Sequence, residues 1–184
     1  MNARAKLAKV RLFALDVDGV LTKGGITYGG QGQELKTFNV RDGLGIRLAV
    51  NFGLTVAIVS GRSSEAVLRR ARDLRVTEVI QRARNKAAAL SQLSGRLGIP
   101  LEETAFLADD LNDLPALELV GVPMAVADAA PEVKAAAVFI TRARGGQGAV
   151  REAVEAILKA QDRWEEAVAS YLELLKRETV GPPD

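Results

Sequence analysis

Short apolar runs alternate with helix-length segments along most of this chain, and this alternation constrains the fold more than any other feature. The runs are all short enough to be single strands, and they fall at 11–15, 54–59, 76–80, 104–107, 123–126 and 138–140. Such runs, apolar at successive positions, are typical of parallel strands buried on both faces. The pattern predicts an α/β fold with a doubly wound, Rossmann-like, mostly parallel sheet.

One segment, at about 21–40, departs from this alternation. It has glycines between two strand-like pieces at 26–28 and 35–38, which predicts a β-hairpin projecting from the first strand. The 184 residues suit one domain, 1–184, that ends in a C-terminal helix and tail at about 161–184. Because a segment of about 20 residues cannot hold a second core, we expect this hairpin or another subunit to cover any site.

The composition limits the available chemistry, because the chain contains no histidine and no cysteine. Disulfides, thiolate nucleophiles, imidazole bases and the usual zinc ligands are therefore excluded. A metal site would have oxygen ligands, which favours a hard cation such as Mg²⁺. The net charge of +2 and the 4% aromatic content argue against a nucleic-acid partner. Without an export signal or a membrane-length apolar run, we expect a cytoplasmic protein with no membrane partner.

Polar residues end several of the apolar runs, at the edge of the sheet where open α/β folds bind ligands. They come from four segments: Asp16-Val17-Asp18-Gly19, Ser60-Gly61-Arg62, Lys86, and Asp109-Asp110 with Asp113. Acids, a hydroxyl and an ammonium group at one edge are what magnesium-assisted phosphoryl transfer requires. The sequence therefore predicts Mg²⁺-dependent phosphoryl transfer.

Position and charge predict a role for each catalytic residue. Asp16, at the end of a buried strand, is the predicted nucleophile toward phosphorus, with Mg²⁺ and Lys86 offsetting the charge repulsion. Asp18 is predicted to give its backbone carbonyl to the metal. Its side chain would protonate the leaving oxygen and later activate water.

The remaining polar residues are predicted to hold the metal and the substrate. Asp16, Asp18 and Asp109 are the predicted metal ligands, while Asp110 and Asp113 would bind the metal's waters or orient Lys86. Ser60 and the backbone near Gly61 would hold phosphate oxygens. Arg62 and Arg41 are candidates for gripping a substrate carboxylate, although Arg41 beside Asp42 is alternatively a structural ion pair.

These four segments resemble, in order and spacing, the four motifs of the haloacid dehalogenase superfamily. Further stretches resemble one branch of it, the 3-deoxy-D-manno-octulosonate 8-phosphate phosphatases: Phe38-Asn39-Val40-Arg41-Asp42-Gly43, Ala125-Val126-Ala127-Asp128-Ala129 and the stretch from Gly145 to Glu152. The resemblance covers roughly residues 10–161. Arg82 and Ala108 stand where this family usually has glycine, and beyond Gln161 the resemblance fades.

The resemblance implies a capless, Mg²⁺-dependent phosphatase, usually a homotetramer whose hairpins help to close a neighbour's active site. The implied substrate is an eight-carbon phosphorylated sugar acid of the lipopolysaccharide route, hydrolysed through an aspartyl-phosphate. Close relatives act on nine-carbon, sialic-acid-type phosphates or form non-catalytic modules appended to nucleotide-sugar synthetases. The residues alone leave one more alternative, a receiver-like phosphoacceptor, although such domains carry the acceptor on a later strand.

Overall fold

The computed structural model describes residues 2–178. The strands are β1 Leu12–Leu15, β2 Thr27–Tyr28, β3 Glu34–Leu35, β4 Thr55–Val59, β5 Glu78–Ile80, β6 Thr104–Ala108, β7 Val122–Ala125 and β8 Phe139–Ile140. The helices are α1 Ala3–Leu7, α2 Val40–Asn51, α3 Glu65–Asp73, α4 Lys86–Leu97, α5 Leu114–Leu119, α6 Pro131–Ala136, α7 Ala149–Ala160 and α8 Trp164–Glu178, with 3₁₀ turns at Leu101–Glu103 and Leu111–Asp113.

The main sheet confirms the predicted doubly wound architecture. Within the described residues it has six strands in the order β5-β4-β1-β6-β7-β8, and every neighbouring pair is parallel. The chain adds β4 and β5 on one side of β1, then crosses back to add β6, β7 and β8 on the other. This is the Rossmann order, and its crossing point lies between the carboxyl ends of β1 and β6, where such folds bind ligands.

Helices cover the sheet in two groups that pack among themselves. One group consists of α1, α2, α7 and α8, and the other of α4, α5 and α6. All four residues of β1 are buried, as expected for a central strand covered on both faces. In the part of the chain that the structure describes, no helix is long and apolar enough to cross a bilayer.

The local signals of the sequence act largely as expected. Helix α4 ends at Gly98, whose φ of 63° lies in the left-handed region that favours glycine. Ser64, a residue type that favours the N-cap position, precedes α3, but its side chain makes no capping hydrogen bond. The predicted C-terminal helix is α8, and the tail at 179–184 lies outside the described residues.

The hairpin is present but shorter than predicted. Its strands are only Thr27–Tyr28 and Glu34–Leu35, paired antiparallel in a separate sheet. Phe38, predicted to be in the second strand, instead lies between β3 and α2, under the guanidinium of Arg70 at 5.9 Å from the ring centre. The apolar hairpin residues Ile26, Tyr28 and Leu35 are exposed.

Candidate active site

The carboxyl ends of β1 and β6 bring the predicted acids together. Asp16 follows β1, and its backbone N–H donates to the carbonyl of Leu107 in β6, which fixes it beside that strand. Asp109 follows β6 directly. The carboxylates of Asp16, Asp109 and Asp113 each have an oxygen within 4.8 Å of the others. The fold therefore gathers three acids, distant in sequence, at the crossing point of the sheet.

A glycine allows the two acid-bearing loops to approach. Gly19 has a φ of 90°, and a Cβ built on it would lie 1.9 Å from Oδ2 of Asp109. Any side chain at this position would collide with that carboxylate, and a φ in this range favours glycine on its own account. Glycine at position 19 is thus a packing requirement of the acid cluster.

Lys86 joins two of the acids in a buried ion-pair triad. Its Nζ lies 2.7 Å from Oδ1 of Asp16 and 2.5 Å from Oδ1 of Asp113, and all three side chains are at most 8% exposed. Helix α4 begins at Lys86 because Asn85 caps it, accepting the N–H of Ala88. Asp113 therefore holds Lys86, one of the two roles predicted for it.

The carboxyl groups of the cluster are hard to ionise together. Burial, opposed by Lys86 and reinforced by Asp113, raises the pKa of Asp16 to about 6. Burial and the charges of Asp16 and Asp113 raise the pKa of Asp109 to about 8. Burial and neighbouring negative charges raise the pKa of a carboxyl group unless nearby positive charges compensate for them.

The residues fit a bound divalent cation. Oδ2 of Asp113 is buried and makes no hydrogen bond with any residue between 2 and 178, and the Asp113 carboxylate lies beside those of Asp16 and Asp109. Carboxylate oxygens are the ligands that Mg²⁺ prefers. Asp113 thus joins Asp16 and Asp109 as a possible direct ligand, whereas the sequence indicated a role through water or Lys86.

The cavity at this edge is lined by nearly all of the predicted site residues. Its volume is about 270 Å³, and its lining consists of Asp16, Asp18, Gly24, Ser60, Gly61, Arg62, Lys86, Asp109, Asp110 and Asn112. Ser60 is buried, and its Oγ accepts the N–H of Arg62. Asp110 is exposed and uses its side chain to accept the N–H of Leu111, which begins the turn leading to Asp113.

Arg41 lies elsewhere. It is exposed and lines a different cavity of about 510 Å³, together with Gln147, Arg151 and Glu155. Asp42 does not pair with the Arg41 side chain among the described residues; it accepts the backbone N–H groups of Gly148 and Arg151 and so caps α7. The structure does not bring Arg41 to the acid cluster within one protomer.

A larger cavity, of about 710 Å³, occurs at the amino ends of the strands. Lys9, Arg11, Gly53 and Glu103 are among its lining residues. In open α/β sheets ligands bind at the carboxyl ends instead, and the clustered acids with Lys86 lie there. Chemistry rather than size therefore identifies the site.

Two residues of the site were missed by the sequence reasoning. Glu34 and Lys36, on the hairpin, form ion pairs with Arg62 and Asp18, respectively, and with each other. The signal was the two-residue spacing, since residues i and i+2 of a strand point to the same face. Leu35, between them, is 50% exposed, so its side chain lies on the opposite face of the segment, toward solvent.

The two departures from the family pattern have different backbone settings. Arg82 has a φ of 59°, in the left-handed region where a glycine would be unstrained. Ala108 is instead the buried last residue of β6, an extended position that accepts alanine. The replacement of a glycine therefore restricts the backbone at Arg82 and not at Ala108.

Fold and site together define a haloacid dehalogenase-like hydrolase, and residues 73–153 match the family model of that description. A 3-deoxy-D-manno-octulosonate 8-phosphate phosphatase of Escherichia coli is 47% identical over 166 residues, covering 90% of this chain and 88% of the relative. The chain therefore belongs to the 3-deoxy-D-manno-octulosonate 8-phosphate phosphatase family, as the sequence motifs predicted.

Solved structures agree with this assignment. The crystal structure of a 3-deoxy-D-manno-octulosonate 8-phosphate phosphatase from Yersinia pestis has a TM-score of 0.87 at 43% identity, covering 89% of this chain and 88% of that one. The enzyme from Moraxella catarrhalis, in complex with a magnesium ion, a phosphate ion and KDO, has a TM-score of 0.89 at 41% identity, covering 92% and 97%.

Proposed function

We propose that this protein is a magnesium-dependent phosphatase that hydrolyses 3-deoxy-D-manno-octulosonate 8-phosphate to the free sugar acid and phosphate. The observation that carries this proposal is the buried triad of Asp16, Lys86 and Asp113 beside Asp109, in a chain that is 47% identical to an enzyme of that name. The complex of the Moraxella relative with magnesium, phosphate and KDO supports both the cofactor and the class of substrate.

In the proposed reaction Asp16 is the nucleophile. One of its oxygens attacks phosphorus, the bond from phosphorus to the sugar oxygen breaks, and Asp18 gives a proton to that oxygen. Water then attacks the aspartyl-phosphate, Asp18 takes a proton from it, and Asp16 is released with inorganic phosphate. Each residue regains its starting state.

The other side chains stabilise charge. Lys86, Ser60 and the backbone N–H groups near Gly61 would bind phosphate oxygens. The carboxylates of Asp16, Asp109 and Asp113, with the backbone carbonyl of Asp18, would hold Mg²⁺, which when bound offsets the repulsion between Asp16 and the phosphate. Asp110 would bind the metal's waters. Arg62 would grip the substrate carboxylate, and the same role for Arg41 stays a prediction.

We further propose that the chain is a single domain that works as a homotetramer. One apolar core cluster extends from Leu7 in α1 to Ala167 in α8, which supports the single domain. The exposed apolar residues of the hairpin, together with Val40, which is 79% exposed, support burial against other copies. The lipopolysaccharide route and the cytoplasmic location stay predictions, and cell fractionation would test the latter.

A substrate panel tests the proposed function. Phosphate release would be measured with and without Mg²⁺ on 3-deoxy-D-manno-octulosonate 8-phosphate, nine-carbon sugar acid phosphates and simple hexose phosphates. We expect Mg²⁺-dependent release with a strong preference for the eight-carbon acid. Preference for a nine-carbon acid would refute the substrate, and no release from any ester would support the non-catalytic module.

A further inference from the structure

A buried lysine of the hairpin forms an ion pair with a predicted catalytic residue. The side chain of Lys36 is only 1% exposed, although the hairpin around it is largely exposed. Its Nζ lies 2.5 Å from Oδ1 of Asp18 and 2.8 Å from Oε1 of Glu34. An ammonium group is rarely buried without such partners, because its desolvation is costly.

Arg62 contacts the same two acids, Glu34 and Asp18, as Lys36 does. Its Nη2 lies 2.6 Å from Oε2 of Glu34, and its Nε lies 3.7 Å from Oδ2 of Asp18. Glu34 therefore fixes two cations, and both cations face Asp18. We call these four residues, Asp18, Glu34, Lys36 and Arg62, the hairpin charge cluster.

The two oxygens of Asp18 differ in their contacts. Oδ1 accepts a hydrogen bond from Lys36, whereas Oδ2 makes no hydrogen bond with any residue in the described range and lies 3.7 Å from Nε of Arg62. Asp18 also lines the cavity that contains Asp16 and Lys86. One oxygen is thus held and the other is available for proton transfer.

Lys36 keeps its charge in this setting. Its ammonium group lies between the carboxylates of Asp18 and Glu34, and these two opposite charges offset the cost of burying it. The ammonium group is thereby held 2.5 Å from Oδ1 of Asp18. The same contact limits the rotation of the carboxyl group.

We propose that Lys36 is a positioning residue for proton transfer: by holding Oδ1 of Asp18, it presents Oδ2 to the oxygen that leaves phosphorus. This inference rests on the proposed function. In the first half-reaction the proton on Oδ2 moves to the sugar oxygen as that oxygen leaves phosphorus. In the second half-reaction Oδ2 takes a proton from the attacking water, while Lys36 remains an ammonium throughout.

The test compares substrates that do and do not need a proton on the leaving group. Lys36→Met removes the ammonium with little change in side-chain length, and Lys23→Met is the matched control, since Lys23 is an exposed lysine of the same segment. For each variant kcat/KM is measured on 3-deoxy-D-manno-octulosonate 8-phosphate and on p-nitrophenyl phosphate, whose leaving group departs as a stable anion.

Because general acid catalysis contributes about 10²- to 10⁴-fold, we expect Lys36→Met to lower kcat/KM on the sugar phosphate about 10- to 100-fold. On p-nitrophenyl phosphate the loss should stay within about threefold. Lys23→Met should match the wild type on both substrates. In an Asp18→Asn background, Lys36→Met should add no further loss, since the proton donor is already absent.

Equal losses on the two substrates would overturn the inference and reduce Lys36 to an anchor of the hairpin. Full additivity with Asp18→Asn would also overturn it. If Lys36→Met does not fold by circular dichroism, Lys36→Gln carries the test, because it also removes the ammonium group but keeps a polar side chain among the charges, and it should give the same substrate selectivity. A wild-type protein inactive on every ester would instead refute the proposed function itself.

Discussion

The acid cluster and the hairpin lie side by side, yet different forces hold them. Asp16, Lys86 and Asp113 are almost completely buried and belong to the ends of β1 and α4 and to the turn before α5. The hairpin has two-residue strands, exposed apolar residues, and ionic contacts of Lys36 and Arg62 to Asp18 and Glu34. One region is built into the core, and the other is attached to it by charge.

This difference suits the two regions to different tasks: the acid cluster carries out the proposed reaction, and the hairpin covers the site. Residues that touch phosphorus need fixed geometry, which the sheet supplies through backbone hydrogen bonds and burial. A segment that admits substrate needs low local stability, which few buried contacts provide. Changes in the acid cluster should therefore abolish the reaction, whereas changes in the hairpin should alter its efficiency, its substrate range and the assembly of the protein.

The largest effect is expected at the nucleophile. Asp16→Asn removes the attacking oxyanion and should lower kcat by about 10⁴-fold or more, the scale seen when a nucleophile is lost. Phosphate release measured beside circular dichroism will separate lost chemistry from lost fold. Appreciable turnover in a folded variant would show that the nucleophile lies elsewhere.

The next effect concerns the metal. Asp113→Ala removes both the partner of Lys86 and a candidate ligand, and the Mg²⁺ concentration for half-maximal activity should rise about 10- to 100-fold. Titration of activity with Mg²⁺ gives this value. Glu118→Ala, an exposed acid on α5, is the control and should leave the titration unchanged; an equal shift in both variants would contradict a specific role for Asp113.

The raised pKa values predict how stability depends on pH in the metal-free protein. Because folding raises the pKa of Asp16 to about 6 and of Asp109 to about 8, the folded state holds protons that the unfolded state has released above about pH 4. Stability should therefore fall as pH rises from about 4 to about 8, and the shift of Asp16 alone corresponds to about 3 kcal/mol. Urea unfolding in a chelating buffer measures this fall.

Magnesium should reverse that fall. A cation present at a free concentration of 100 times its dissociation constant adds about 2.7 kcal/mol to the free energy of unfolding. The bound cation also favours ionised carboxylates. Adding Mg²⁺ at pH 8 should thus raise the urea midpoint more than adding it at pH 5. Stability that rises with pH without metal would be inconsistent with the crowded acid cluster.

The hairpin is predicted to act through assembly. The double substitution Ile26→Asp with Leu35→Asp places charge on exposed apolar residues, and should prevent tetramer formation while changing the stability of the protomer by only about 0.5 kcal/mol per site. Light scattering will report the mass. A tetramer that persists would place the interface elsewhere, and a wild-type monomer would refute the proposed assembly.

The smallest effect is expected at Arg82. A non-glycine residue in the left-handed region lowers the stability of the folded state by about 1–2 kcal/mol. Glycine avoids this strain, but it also makes the unfolded chain more flexible, which cancels part of the gain. Arg82→Gly should therefore stabilise the protein by about 0.5–1 kcal/mol, while Arg84→Gly, without a positive φ to relieve, should not. Thermal unfolding of both variants provides the comparison, and equal shifts would remove the conformational explanation.

The regular parts of this molecule could be predicted because their signals are local. Buried parallel strands need unbroken apolar runs, so Leu12–Leu15 and Thr55–Val59 were recognisable, as was the position of Asp16 after the first of them. Lys86 was placed through its spacing from the other segments. Its pairing with both Asp16 and Asp113 depends on how β1, α4 and the turn after β6 meet.

The hairpin charge cluster was not predicted, for a physical reason. Lys36 and Glu34 are ordinary surface residue types on a short glycine-rich segment, and only the folding of that segment onto the sheet edge buries Lys36. Arg41 could not be placed from sequence either, since its motif is close in sequence to the hairpin but it lines another cavity of the protomer. Long-range placement, rather than residue type, decided both cases.

The central claim is that Asp16 carries the phosphoryl group, and rapid acid quenching during turnover tests it most directly. Wild-type protein would be mixed with 3-deoxy-D-manno-octulosonate 8-phosphate and Mg²⁺, quenched within one turnover, and its peptides analysed by mass spectrometry. We predict one transient phosphoryl group on Asp16, absent from Asp16→Asn and lost as phosphate is released. Turnover without any phosphorylated peptide, or with the group on another residue, would contradict the account.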